Sequence, residues 1–96
     1  MGATKTSQFD QQTIYLAKVA RALAHPARIT IVNHLLNNKS ISHKEIANLV
    51  HLHPVSVHQH MKKLRDAELV DYHYLPHEYT ISLNDNAVNF LSSFIP

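Results

Sequence analysis

A mainly α-helical domain with one small β-hairpin is the fold class that this sequence predicts, and three observations predict it. Residues 41–69 read as two short helices joined by a tight turn. After Leu69 the apolar period changes from helical to twofold. A polar Asn84-Asp85-Asn86 cluster then opens a last amphipathic stretch.

In chain order, residues 1–8 are polar and unpatterned, so a disordered tail is expected there. Residues 9–96 are expected to form one domain, since 96 residues supply apolar content for a single core. From Phe9 to Leu23 a broad apolar stripe (Phe9, Leu16, Ala20 and Leu23, flanked by Ile14, Tyr15, Val19 and Ala22) predicts a helix buried on more than one side. His25-Pro26 starts a second helix, because proline is preorganised for the first turn. Its expected core face is Ile29, Val32, Leu35 and Leu36, and Asn37-Asn38 ends it through a left-handed asparagine.

The third helix carries a full start signal. Ser42 caps it, Glu45 is placed to reach back to the cap, and Ile41 and Ile46 have staple spacing. Pro54 starts the fourth. The alternation of Val70, Tyr72 and Tyr74, a turn at residues 75–78, and a second alternation from Tyr79 to Leu83 form the hairpin. In the last helix Ala87, Phe90, Leu91 and Phe94 share a face, with Val88 and Ile95 on a second. The order α-α-α-α-β-β-α is that of a winged helix-turn-helix with a helix added at each end.

The fourth helix carries the functional argument. At ~100° per residue, Val57, Met61 and Leu64 line up toward the core. Val55, Ser56, His58, Gln59, Lys62 and Lys63 fall on the far side, with no carboxylate until Asp66. A solvated amphipathic helix also keeps its charges outside. Inside a helix-turn-helix, however, such a face fits a DNA major groove. Ser56, His58 and Gln59 are the candidates for base edges, and Val55 for a thymine methyl. Lys62 and Lys63, with Lys44 on the preceding helix, are the candidates for phosphates, and Arg65 either bonds within the fold or reaches a phosphate.

The terminal helices carry more apolar surface than so small a domain can hide, and exposed stripes of that kind mark partner surfaces. A homodimer is therefore expected through Phe9, Leu16, Val19, Ala20, Phe90, Leu91 and Phe94. Twofold symmetry suits double-stranded operator DNA, since two recognition helices then enter successive grooves.

Composition narrows the alternatives. The formal net charge is only +2, so local clustering of cations matters more than the total. There is no cysteine, which removes disulfides, thiolate metal sites and thiol switches. The only glycine is Gly2, so no glycine-rich phosphate loop exists, and no nucleophile–base set is suggested. The chain is not expected to be an enzyme or to need a cofactor. No apolar run reaches membrane-spanning length, and a cytoplasmic location with no membrane partner is expected.

Two stretches carry a family resemblance. Ala22-Leu23-Ala24-His25-Pro26-Ala27-Arg28-Ile29 resembles the opening of the ArsR/SmtB-type transcriptional repressors. Glu45-Ile46-Ala47 together with the run from Val57 to Val70 resembles that family's helix-turn-helix. The resemblance spans roughly residues 9–95. It implies a dimeric repressor that binds operator DNA and is commonly released by an inducer, often a metal ion. Ser42 and Lys44 stand where metal-sensing members often carry cysteines, and no histidine follows Asp85. The two familiar metal sites are therefore not expected, and any inducer is unidentified. His51 stands at the family's turn glycine, which requires a strained left-handed histidine or an altered turn. His53 and His58 replace serines, and the wing holds His73, Leu75, Pro76 and His77 where arginines are common.

Nine histidines are many for this length. Their spacing does not favour a metal, since His58 and His60 diverge by ~200° on a helix. His60 is expected to pack beside the core, His25 to cap or pack, and His34 and His43 to face solvent. His53, His58, His73 and His77 are expected on the DNA side, so DNA affinity is expected to rise between about pH 8 and 6 as imidazoles gain charge. The alternatives to a DNA-binding regulator are a winged-helix protein–protein interaction module and a histidine-based metal-responsive regulator.

Overall fold

The computed structural model describes residues 8–93. Residues 1–7 of the expected tail, and Phe94 and Ile95, lie outside the described residues. The elements are α1 (Gln11–Ala22), α2 (Pro26–Asn37), β1 (Ile41–Ser42), α3 (His43–Val50), α4 (Pro54–Asp66), β2 (Val70–Tyr74), β3 (Tyr79–Leu83) and α5 (Asp85–Ser92). This is the winged helix-turn-helix order, with one strand that the alternation pattern did not reveal. β1 pairs Ile41 with Ile81 and Ser42 with Thr80, so the antiparallel sheet has three strands in the order β1-β3-β2. Two residues are too few to show a period, and Ile41 and Ser42 were readable only as a helix start.

Each helix begins on a side-chain cap, and the acceptors are unusual. Asp10 and Asn84 cap α1 and α5 in the ordinary way. In α2 and α4 the cap is an imidazole followed by proline. His25 Nδ1 accepts from Ala27 N at 3.0 Å, and His53 Nδ1 accepts from Val55 N at 3.2 Å. Ser42 caps α3, and its hydroxyl meets Glu45 Oε1 at 3.0 Å. Glu45 thus reaches back to the cap as expected, through the Ser42 hydroxyl.

Both helices of the helix-turn-helix end on a left-handed residue that is not glycine. His51 has φ 56° and Glu68 has φ 61°. After α4, Glu68 N donates to Arg65 O at 2.9 Å and Leu69 N to Leu64 O at 3.0 Å, the two bonds of a Schellman motif. Leu64 and Leu69, its hydrophobic pair, are both wholly buried. After α3, the His51 N–H reaches Ala47 O. A left-handed non-glycine residue costs ~1–2 kcal/mol, of which glycine's greater unfolded-state entropy returns part. His51→Gly and Glu68→Gly should therefore each stabilise the fold by up to about 1 kcal/mol, or ~4–8 °C in Tm for a domain of this size. Thermal melts check this, and an unchanged or lowered Tm would refute it. The Lys18–Glu68 ion pair lost in the second variant is 4.0 Å long and exposed, so it offsets little.

The core gathers one stripe from each helix onto the sheet. α4 supplies Val57, Met61 and Leu64, as the helical period predicts, and α3 supplies Ile46. The contribution of α2 differs from expectation. Ala27, Ile31, Val32 and Leu35 are buried, whereas Ile29 and Leu36 are 54% and 41% exposed. At ~100° per residue, Ile29 and Leu36 fall together on the face opposite the Ala27–Ile31 edge, so the helix carries two apolar faces rather than one. Its end also differs. Asn38 is extended (φ −141°), and Asn37 and Asn38 instead donate their side-chain amides to Asn33 O and His34 O. Those amides satisfy last-turn carbonyls that a left-handed turn would otherwise serve.

α1 is not buried on more than one side. Only Val19 and Ala22 are buried, and Leu16 and Phe9 stay 38% and 49% exposed. Val19 and Leu91, both expected at a dimer interface, are instead enclosed in this chain's own core. A side chain that closes its own core has no surface left for a second copy. Among the described residues, no helix is long and apolar enough to cross a membrane.

Candidate nucleic-acid interface

The outward face of α4 is built by what its inward face does. With Val57, Met61 and Leu64 at 1% exposure or less, the helix cannot rotate without expelling its core stripe. Val55 (59% exposed), Gln59, Lys62 and Lys63 therefore stand in solvent, and Ser56 is half-buried beside them. Lys44 is exposed near the start of α3. No carboxylate on α4 precedes Asp66. The face offers an amide, a hydroxyl, a methyl surface and two ammonium groups.

The flank toward the wing carries an arrangement that the sequence did not reveal. Arg65 stacks its guanidinium 4.7 Å from the centre of the Tyr72 ring. Tyr72 stacks on Tyr79 at 5.0 Å, and Tyr79 on His43 at 4.3 Å, with interplanar angles of 12° and 7°. One column thus runs from α4 through both wing strands to α3. Tyr79 Oη lies 2.6 Å from His58 Nδ1, adding a second tie to α4. Burial, with Tyr72 and Tyr74 nearby, pushes the Tyr79 phenol up to about 12, against a smaller opposing effect of Arg65. Its hydroxyl therefore stays protonated near neutrality, within hydrogen-bond distance of His58.

This corrects one expectation. His43 does not face solvent: it is half-buried, stacked, and its Nδ1 lies 3.2 Å from both the N and O atoms of Tyr79. Arg65 and His58 sit on the wing flank, already engaged by tyrosines. The signal available beforehand was Tyr74 and Tyr79 bracketing a four-residue turn. The register pairs Tyr74 with Tyr79 and Tyr72 with Ile81. At the wing, Tyr74 and Leu75 are exposed, and His73 Nε2 meets Ser82 Oγ at 2.8 Å.

The other flank of α4 carries His60, half-buried as expected. Arg28 Nη1 lies 3.3 Å from its Nδ1, and the His25 ring centre is 4.1 Å away. Arginine can only donate, so Nδ1 accepts and the imidazole is neutral. Burial first, then His25 and Arg28, hold its pKa below the ordinary histidine value. A base whose folded pKa is depressed favours folding while neutral. Its stabilisation is present above the unfolded value near 6.5 and is lost as pH falls toward the folded value. His60→Gln should accordingly narrow the drop in Tm between pH 7.5 and 5.5. An unchanged drop would show that His60 takes no part in it. His34, expected in solvent, is half-buried. Among the described residues, no three His, Asp or Glu side chains converge as a metal-binding set.

Comparison with known proteins follows this geometry. Residues 26–71, from the start of α2 into β2, match the family described as winged helix-turn-helix DNA-binding. The chain has the winged helix-turn-helix fold.

The solved structures agree over nearly the whole chain. HlyU from Vibrio cholerae superposes with a TM-score of 0.78 at 20% identity, covering 90% of this chain and 94% of that one. The transcriptional repressor BigR from Xylella fastidiosa gives 0.74 at 16%, covering 95% and 93%. A homodimeric winged helix-turn-helix DNA-binding domain from Mycobacterium bovis, described as a possible ArsR-family regulator, gives 0.76 at 15%, covering 97% and 84%. At such identities the shared property is the fold. A comparison with curated proteins gave no match.

Proposed function

We propose that this winged helix-turn-helix protein is a sequence-specific DNA-binding transcriptional repressor of ArsR type, acting as a homodimer in the cytoplasm. The observation that carries the reading is the outward face of α4, where Val55, Gln59, Lys62 and Lys63 stand exposed directly behind a fully buried core stripe. Gln59 and Ser56 read base edges, Val55 meets a thymine methyl, and Lys62, Lys63 and Lys44 hold phosphates. Arg65 and His58 take a different part: through Tyr72, Tyr79 and His43 they set the angle between recognition helix and wing. The exposed apolar residues Phe9, just before α1, and Leu16 on α1, with Ala20 and Phe90, support the dimer. A homodimer is also what the M. bovis neighbour forms. A protein–protein module is the second reading, favoured by the exposed Tyr74 and Leu75 on a wing without arginine.

Fluorescence-anisotropy titration against the protein's own upstream DNA and a scrambled control, at two salt concentrations, tests the proposal. Binding to the native fragment should be tight and salt-sensitive. Equal weak binding to both DNAs would reject the operator reading for that fragment.

A further inference from the structure

Four of the chain's nine Lys and Arg residues, Lys18, Arg21, Arg28 and Lys63, line one cleft between α1, α2 and the C-terminal half of α4. One carboxylate, Asp66, lines it with them, and Glu68 lies 4.0 Å from Lys18. The cleft has a volume of about 290 Å³, at the small end of ligand-binding clefts. Arg28 is its inner wall. One of its terminal nitrogens is fixed on His60, while its Nε is buried and has no hydrogen-bond partner among the described residues. A buried donor without a partner loses its hydration uncompensated, and native structures leave few such groups. Like charges also repel when gathered from three helices, and here two carboxylates, Asp66 in the lining and Glu68 beside Lys18, offset four cations. The excess positive charge is relieved by one kind of occupant, an anion.

We propose that this cleft binds a phosphate group, held by Arg21 and Arg28 with Lys18 and Lys63 as further counter-charges. Guanidinium forks match phosphate oxygens in geometry as well as charge. The phosphate has two possible sources, a free phosphorylated small molecule or the backbone of bound DNA. Lys63 belongs both to this cleft and to the proposed DNA face. A free phosphoanion therefore draws on a cation that DNA also uses, and its binding opposes DNA binding by an equal and reciprocal factor. That linkage rests on the DNA-binding reading; the cleft itself does not.

The test is calorimetric titration of the full chain with inorganic pyrophosphate at constant ionic strength. Saturable binding is expected. Arg21→Gln and Lys18→Gln, both at partly or fully exposed positions, should each weaken it ~10-fold, the scale of a lost charge-assisted hydrogen bond. Lys39→Gln, outside the cleft, should leave it unchanged. The two sources are then separated on DNA. If a backbone phosphate fills the cleft, Arg21→Gln lowers the slope of log K against log salt by about 1. If a free anion fills it, that slope stays and pyrophosphate weakens DNA binding only while Arg21 is present. Either outcome supports the site. No saturable pyrophosphate binding, or equal weakening by Lys39→Gln, overturns it. Because the titration needs no DNA, its failure is distinct from failure of the repressor reading.

Discussion

Leu64→Ala should lower the stability of this domain by ~3–5 kcal/mol, a large share of the ~5–15 kcal/mol that a domain of this kind has. Leu64 is wholly buried between α4 and the sheet, so truncation loses its transfer free energy and leaves a cavity. It also loses the partner of Leu69 in the motif that turns the chain from α4 into the wing. Two structural roles fall on one side chain. Urea unfolding reads the effect as a lower midpoint. Val55→Ala, on the exposed face of the same helix, should stay within about 0.5 kcal/mol of the parent. Equal midpoints for the two variants would mean that α4 is not anchored as described.

On the opposite face the largest expected effects are on DNA, and they differ in kind. Lys62→Ala should weaken binding to native and scrambled fragments alike and lower the salt slope by about 1, because a phosphate contact carries no sequence information. Gln59→Ala should cost ~1–3 kcal/mol on the native fragment alone, and so relax specificity with the salt slope unchanged. Anisotropy titration of both variants on both fragments separates the two roles. If Gln59→Ala weakens both fragments equally, Gln59 is not reading bases. If Lys62→Ala changes neither affinity nor slope, α4 does not lie against a DNA backbone.

Position along the helix made these two faces legible from sequence. Val57, Met61 and Leu64 recur at helical spacing, and a helix that must bury them has no choice about where Gln59 and Lys62 point. The Tyr79 column was not legible. It joins His43, Arg65, Tyr72 and Tyr79 from four elements, and no spacing within one element announces a contact between elements. α2 shows the same limit at smaller scale. It has two apolar faces, and only its neighbours decide that Ile31 is enclosed while Ile29 stays in solvent. The left-handed turns divide likewise. His51 stood out against the family's glycine, whereas Glu68 was revealed by its backbone angle alone.

The sequence by itself determined the order of elements, the caps at Ser42, Asn84 and His25, the inward stripe of α4 and the absence of thiol chemistry, because each depends on residues within a few positions of one another. The tertiary structure decided which apolar face of α2 closes the core, that β1 joins the sheet, that a tyrosine and arginine stack braces the wing, and that Lys18, Arg21, Arg28 and Lys63 share a cleft. Those outcomes depend on distances between helices and strands remote in sequence, and only packing sets them.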